Sequence, residues 1–326
     1  MKAIVYTQYG PPDVLHFKDA EKPTPKDNEV LIKVHATSVN AAEPHIVRGE
    51  PIFVRLMVGG ILKPTNTIPG ADVAGQVEAV GRNVTKFQPG NEVFGDLSES
   101  GWGAFAEYVC ANEAALVLKP ANITFEQAAA VPLAGVTALQ GLNKGQIQAG
   151  QKVLINGASG GVGTFAVQIA KSFGAEVTAV CSTKKLDMMR SLGADHVIDY
   201  TKEDFTQNAQ RYDLIIAANG HHSIFEYKRA LSAAGSCVVT GGSMTQIFQS
   251  MLLGPVVSMR GSQKIGNLMA KPNAKDLDFL KGLLETGKVV PVIDRCYPLS
   301  ETADALRSLE EGHAQGKIVI MVTSGS

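Results

Sequence analysis

The stretch that most constrains what this chain can fold into runs from Lys152 to Lys185. Lys152-Val-Leu-Ile-Asn156 is a short apolar run without polar alternation, the pattern of a strand buried on both faces of a parallel sheet. A glycine-rich turn follows, Gly157-Ala-Ser-Gly160-Gly161-Val-Gly163, and then Phe165, Ala166, Ile169, Ala170 and Phe173 fall at helical spacing. Glu176-Val-Thr-Ala-Val180 reads as a second strand. Glycine at 160 lets backbone N–H groups approach a pyrophosphate at the helix N-terminus, and glycine at 163 lets the helix pack closely on the sheet. Ala158 stands where the usual dinucleotide fingerprint has its first glycine, and a tight turn in a generic α/β sheet can carry the same triplet. Strand, turn, helix and strand in the required order favour dinucleotide binding over that alternative. Gly157, Ser159, Gly160, Gly161, Val162 and Gly163 are therefore the candidate cofactor residues of the turn.

The end of the second strand indicates which dinucleotide. NAD-binding units usually place an acid about 20 residues beyond the turn, where it accepts hydrogen bonds from the ribose 2′-OH. Here the strand runs out into Val180-Cys-Ser182-Thr183-Lys184-Lys185, with no acid at its tip. Hydroxyls and an ammonium suit a 2′-phosphate, so NADPH is the expected cofactor, with Ser182, Thr183 and Lys185 beside that phosphate.

A length of 326 residues allows two ordinary domains, and 45% apolar with 19% charged residues is a soluble globular composition. The net charge of −1 gives no electrostatic case for nucleic acid or an acidic membrane surface. Met1-Lys-Ala-Ile-Val-Tyr6 reads as a strand and not as a secretory leader. The apolar stretch from Ala128 to Leu142 is too short and too broken to span a bilayer. Cys110, Cys181, Cys237 and Cys296 are scattered, which fits reduced thiols and a cytoplasmic address.

Residues 1 to 121 read as β-rich, with Val30 to His35, Asp72 to Val80 and Ala104 to Cys110 as strands between Gly and Pro turns. Such spacing argues for a barrel-like domain. Trp102, in a glycine-flanked loop, is either a rim packing contact or a substrate contact. The apolar run Ile52 to Leu62, which includes Phe53, reads as core, as a flap over an apolar pocket, or as a contact patch. Thr124 with Glu126 and Gln127 marks a capped helix start. Beyond Lys185, a helix and strands at His196 to Tyr200, Asp213 to Ala217 and Ser236 to Thr240 continue a doubly wound parallel sheet. Ligand groups gather at strand ends, which points to Asn219, Gly241 and Gly242. The tail from Asp276 carries helices around Leu277 to Leu284 and Thr302 to Leu309, and strands at Val289 to Ile293 and Lys317 to Val322.

The order of these parts resembles the medium-chain dehydrogenase/reductase superfamily over nearly the whole chain. The likeness rests on Ile68-Pro-Gly-Ala-Asp-Val-Ala-Gly75, the turn from Phe87 to Gly95, Pro132-Leu-Ala-Gly-Val-Thr-Ala138, the glycine turn, and Ser191-Leu-Gly-Ala-Asp-His-Val-Ile-Asp-Tyr200. Within the superfamily it is similar to the zinc-free quinone oxidoreductase branch, with its quinone oxidoreductase-like proteins and alkenal reductases. The resemblance implies a GroES-like catalytic domain over 1–121 and 276–326 and a Rossmann domain over 122–275. It implies hydride transfer from NADPH to a quinone or to the C=C of an α,β-unsaturated carbonyl, and a homodimer, through edges near Ser236 to Thr240 and Val256 to Met259. A competing class is an NADPH-binding scaffold with negligible turnover.

The resemblance also assigns residues. It adds Tyr200 to the 2′-phosphate group, Thr137 to the cofactor set, and Asn40 beside the nicotinamide as a cofactor and catalytic residue. His45 stands where many relatives have Tyr, which makes it the candidate proton donor and puts any Tyr-based donor in doubt. The pocket is expected between the domains, with Phe53 and Trp102 on the substrate side. Zinc-dependent relatives use Cys and Gly-His-Glu motifs where this chain has Asn40-Ala-Ala-Glu43 and Gly70-Ala-Asp72, so no zinc is expected.

Overall fold

The computed structural model describes residues 1–57, 60–220, 222–242, 249–252, 254 and 262–322. Val256 to Met259, named above for a dimer edge, lie outside the described residues. The chain opens with β1 (Lys2–Val5), β2 (His16–Asp19) and the long β3 (Glu29–Val39), followed by α1 (Ala42–Arg48) and α2 (Phe53–Met57). Next come β4 (Asp72–Val80), β5 (Glu92–Asp96), β6 (Tyr108–Asn112), β7 (Leu116–Leu118) and α3 (Phe125–Ala129). The middle of the chain holds α4 (Pro132–Lys144), β8 (Lys152–Asn156), α5 (Gly161–Ser172), β9 (Glu176–Cys181) and α6 (Leu186–Ser191). It continues with β10 (His196–Asp199), β11 (Tyr212–Ala217), α7 (Ile224–Ala230), β12 (Leu231–Val239) and β13 (Lys264–Asn267). The last described elements are α8 (Ala274–Glu285), β14 (Ile293–Pro298), α9 (Thr302–Glu310) and β15 (Lys317–Met321).

These elements form two compact units. One comprises Met1–Leu133, Pro272–Glu285 and Pro291–Ser326; the other comprises Ala134–Lys271 and Thr286–Val290. Helix α3 belongs to the first, where Phe125 stacks on His35 of β3 at 4.1 Å between ring centroids. Its N-terminus is a capping box: Thr124 Oγ1 accepts from the Gln127 N–H at 3.2 Å, and Gln127 Oε1 accepts from the Thr124 N–H at 3.0 Å.

In the first unit β3 is the spine of the sheet. It pairs along one edge with β4, while β6 takes the N-terminal half and β15 the C-terminal half of its other edge. The β3–β4 register shifts between Leu31 and Ile32 and again between Val34 and Ala36, irregularities that bend a sheet. Apolar side chains from β3, β4 and β5 fill the core, among them Val30, Ile32, Val34, Val73 and Val93.

In the second unit all strand pairs are parallel, in the order β10-β9-β8-β11-β12-β13. Strand order reverses between β8 and β11, the kind of switch point at whose carboxyl ends ligands bind in open α/β sheets. Val153, Leu154 and Ile155 of β8 are wholly buried, as the unalternating apolar run requires.

Three expectations need correction. The strand expected from Ala104 begins at Tyr108, because the Ala104 and Phe105 N–H groups donate to Gly70 and Pro69 carbonyls ahead of β4. The strand expected from Val289 begins at Ile293; the Val290 N–H is taken by Gln168 Oε1 at 2.8 Å and so is not free for a ladder. In the apolar run from 52 to 62 the core alternative fails at the described residues Ile52, Phe53, Leu56, Ile61 and Leu62, which are all exposed, Leu62 by 92%. A single short helix there is held by polar contacts, Arg55 Nε to the Gly49 carbonyl at 2.9 Å and Tyr9 Oη to the Gly60 carbonyl at 2.6 Å.

Candidate functional site

In the second unit the candidate site starts where β8 ends. Gly157 has φ +79°, and a Cβ there would lie 2.7 Å from the Asn219 backbone nitrogen and oxygen, so only glycine fits. A Cβ at Gly163 would lie 2.2 Å from the Gly157 carbonyl oxygen; the helix start rests directly on the turn. Gly160 differs: a Cβ there would meet nothing nearer than the Gly157 oxygen at 3.7 Å, so it borders open space. Gly160 is the N-cap of α5 and its cap lacks a side-chain hydrogen bond. The first-turn N–H groups at Gly161, Val162 and Gly163 lack intrahelical acceptors and lie at the positive end of a helix dipole, next to the open space at Gly160. The Ala158 N–H donates to the Val180 carbonyl at 3.1 Å, which ties the turn to β9, and Ser159 is buried. This cradle fits a pyrophosphate.

The other predicted cofactor residues of this unit lie on strand ends or on α4. Asn219 and Gly241 follow β11 and β12, and the Asn219 and Gly241 N–H groups donate to the Asn156 and Ala217 carbonyls, both at 3.3 Å. Gly242 has φ +114°. Thr137 is buried on α4.

The β9 tip corrects the sequence reading in one respect. Asp199 of β10 pairs in register with Cys181, so an acid does stand beside that tip, supplied by the neighbouring strand. Its carboxylate accepts from Thr183 Oγ1 at 2.5 Å, from Thr201 Oγ1 at 2.7 Å and from the Thr201 N–H at 3.1 Å. The Thr183 hydroxyl is the largest cause holding the Asp199 carboxyl down at about 2, against the opposing effect of burial, with Thr201 next. Thr183 thus commits its hydroxyl hydrogen to Asp199. Ser182 and Lys185 lie in the same turn, where the Lys185 N–H donates to the Ser182 carbonyl at 2.9 Å. Tyr200, 61% exposed, is brought beside them by its N–H bond to the Cys181 carbonyl at 3.1 Å.

The first unit holds a second polar feature. Asn40, just past β3, is buried and donates from Nδ2 to Asp72 Oδ2 at 2.9 Å. Lys317 Nζ donates to Asn40 Oδ1 and lies 3.3 Å from Asp72 Oδ2. Ser38 Oγ donates to the same Asp72 oxygen at 2.5 Å, and the Leu133 N–H donates to Asp72 Oδ1 at 2.8 Å. Glu43 of α1 is wholly buried and accepts from the Asn40 N–H at 2.9 Å and the Ala71 N–H at 3.3 Å. Burial, then the Asp72 charge, pushes the Glu43 carboxyl up to about 7; the same two causes in the same order raise Asp96 to about 6.

Sequence reasoning singled out Asn40 but missed Asp72, Glu43, Lys317 and Asp96 as its setting. A signal was there: Lys317 heads an apolar strand, Gly316-Lys-Ile-Val-Ile320, and a lysine so placed is buried only if paired. His45 lies on the outer face of α1, away from the buried Glu43, Ile46 and Val47; its Nδ1 is 3.1 Å from the Glu50 carbonyl oxygen. Phe53 is 44% exposed on α2, and Trp102 is half-buried with φ +62°. Among the described residues no group of three or more His, Cys, Asp and Glu side chains is arranged to hold a metal ion.

Residues 26–121 match the family described as Alcohol dehydrogenase GroES-like domain, and residues 192–320 match the one described as Zinc-binding dehydrogenase. Residues 126–220 match the Alanine dehydrogenase/PNT C-terminal domain. The chain is 37% identical to a 2-methylene-furan-3-one reductase of Solanum lycopersicum, over 98% of this chain and 79% of that one. It is 36% identical, over the same shares, to a chloroplastic NADPH-dependent alkenal/one oxidoreductase of Arabidopsis thaliana. The solved quinone oxidoreductase of Coxiella burnetii superposes with a TM-score of 0.88 at 32% identity, covering 99% of both chains.

Proposed function

We propose a function from one premise: the chain belongs to the medium-chain dehydrogenase/reductase superfamily, beside its quinone oxidoreductases and alkenal reductases. The protein is a pyridine-nucleotide-dependent oxidoreductase that reduces a quinone or the C=C of an α,β-unsaturated carbonyl, with NADPH as donor and without zinc. One observation carries the reading: a glycine cradle at the start of α5 on a switched parallel sheet, in a chain similar over 98% of its length to enone and alkenal reductases.

The N–H groups of Gly161, Val162 and Gly163 would hold the pyrophosphate, and Ser182, Lys185 and Tyr200 would take the 2′-phosphate. Thr137, Asn219, Gly241 and Gly242 would complete the cofactor contacts, and Asn40 is the residue that the family likeness assigns to the nicotinamide. When bound, the nicotinamide supplies a hydride. On the substrate, a C–H bond forms at the β-carbon, the π electrons move to the carbonyl oxygen, and the enolate takes a proton at the α-carbon from His45 or water. Phe53 and Trp102 contact the apolar body of the substrate. The reading extends to a homodimer in the cytoplasm. Among the described residues no helix is long and apolar enough to cross a membrane.

Steady-state NADPH oxidation by a panel of quinones and 2-alkenals tests this. Activated alkenes or quinones should react, while saturated aldehydes and simple alcohols should scarcely do so; His45→Ala should lower kcat and kcat/KM together if His45 is the donor. Tight NADPH binding with no turnover of any acceptor would favour a scaffold instead. Elemental analysis should find far less than one zinc per chain.

A further inference from the structure

Three strands that are remote in sequence converge on one amide. Ser38 is the penultimate residue of β3, Asp72 begins β4 and Lys317 begins β15, and the Asn40 side chain lies among them. Asn40, Asp72 and Lys317 are all buried, with side chains of Asp72 and Lys317 exposed by only 0% and 3%. The approach of Lys317 is itself set by backbone. Gly316 has φ +81°, and a Cβ there would lie 2.2 Å from the Val292 oxygen, which accepts the Lys317 N–H at 2.8 Å.

The arrangement is directional. An ammonium can only donate and an ionised carboxylate can only accept, whereas a primary amide does both from opposite ends. Lys317 donates to Asn40 Oδ1, and Asp72 accepts from Asn40 Nδ2. Turning the amide over would set its NH2 against the ammonium and its oxygen against the carboxylate. One of the two flips is therefore excluded. A neutral, apolar filling of this space would avoid the desolvation of two charges, so stability alone does not account for the pair.

We propose that Lys317 is a positioning residue: with Asp72 it keys the Asn40 amide in one orientation, and the reaction depends on that orientation. The inference rests on the reductase reading above for what the amide serves, but the keying itself is a property of the first unit alone. Lys317 acts through Asn40 and does not touch substrate. The other N–H of Nδ2 reaches Glu43 Oε1 at 3.4 Å, so the second lone pair of Oδ1 points in a fixed direction before any ligand arrives, which is the pre-organisation that active-site polar groups need.

The test uses the whole protein in three forms: wild type, Lys317→Met, and Lys317→Met with Asp72→Asn, which removes both charges together. In the wild type without cofactor, the Asn40 side-chain amide protons should exchange about 100-fold slower than a free amide, as hydrogen-bonded buried groups do. Exchange at the free-amide rate would overturn the proposal without any variant having to fold. The single variant should lose thermal stability and activity together, since it strands a buried carboxylate. The double variant should recover most of the stability, bind NADPH within about twofold of wild type, and still show kcat lowered about 10-fold or more with faster Asn40 amide exchange. A folded double variant with wild-type kcat and unchanged amide exchange would make the network merely structural and defeat the proposal. If the wild type itself reduces no acceptor, the reductase reading falls alone. The amide exchange of wild type and double variant then decides the keying: faster exchange in the variant upholds it, and equal exchange overturns it.

Discussion

The two polar regions of this molecule are built in opposite ways. In the second unit, the cradle at α5 is made by backbone: N–H groups, a left-handed glycine and close approach of a helix to a turn, all within residues 157–163. In the first unit, the network around Asn40 is made by side chains from residues 38, 40, 43, 72 and 317, with Lys317 lying 277 positions from Asn40. A backbone site tolerates many side chains but no added Cβ at its contact points. A side-chain site tolerates no unpaired charge. The two should therefore fail differently.

The largest contrast lies within the cradle. Gly163→Ala pushes a Cβ to 2.2 Å from a backbone oxygen, whereas Gly160→Ala has its nearest neighbour at 3.7 Å. Gly163→Ala should lower the melting temperature and weaken NADPH binding by about 100-fold or more, read by fluorescence titration beside thermal melts. Gly160→Ala should leave the melting temperature nearly unchanged and weaken binding about 10-fold, by narrowing the opening alone. Equal effects on stability would break the backbone account.

In the network the matching experiment is Asp72→Ala. It leaves the Lys317 ammonium buried with Asn40 as its remaining partner in the cluster, and removes the acceptor of three side-chain donors. Loss of one partner of a buried pair costs roughly 3–5 kcal/mol, measurable by denaturant unfolding. A loss below about 1 kcal/mol, the scale of an exposed pair, would mean that the cluster is solvated.

The pH dependence sharpens the same side of the comparison. Folded Glu43 holds its proton up to about pH 7, whereas its ordinary value is 4.5, so unfolding releases a proton across that window. Its contribution is complete below the lower value and is lost as pH rises through the upper one. Asp96, raised to about 6, adds to the same fall. Glu43→Gln should flatten the decline in stability between those limits, by on the order of 3 kcal/mol, and leave the part due to Asp96. An unchanged slope in urea unfolding across pH would show that Glu43 does not carry the proton.

The smallest effect belongs to the strand tip, where the half-buried Lys185 should discriminate between cofactors. Lys185→Glu should raise the NADPH KM at least tenfold, about 1.4 kcal/mol, and leave NADH use far less affected. Equal weakening towards both would remove the 2′-phosphate assignment.

What could be read from the sequence follows the same division. The strand, turn and helix from Lys152 to Phe173 were legible because glycine and apolar spacing act locally, and the Thr124 capping box was legible for the same reason. Asp199 was not, since a search along the β9 tip does not see what an adjacent parallel strand supplies in register. The starts of β6 and β14 were misplaced where loop carbonyls and the Gln168 side chain took backbone N–H groups that a ladder would otherwise use. The run from 52 to 62 was ambiguous by composition, because apolar residues alone do not reveal whether anything covers them. Asn40 came from a resemblance; its partners came only with the fold.

The pairing of β3 with β15 has a consequence for biosynthesis. A ribosome releases β3, β4 and Asp72 long before it reaches Lys317, so the first unit emerges with the C-terminal half of one β3 edge unpaired and a carboxylate lacking its counter-ion. The intervening segment, Ala134–Lys271, has the partners for its parallel sheet within itself and needs no such wait. Pairing of β15 with β3 therefore closes a loop across that whole segment. The part of this protein translated first is the part that receives its last strand at the end of translation.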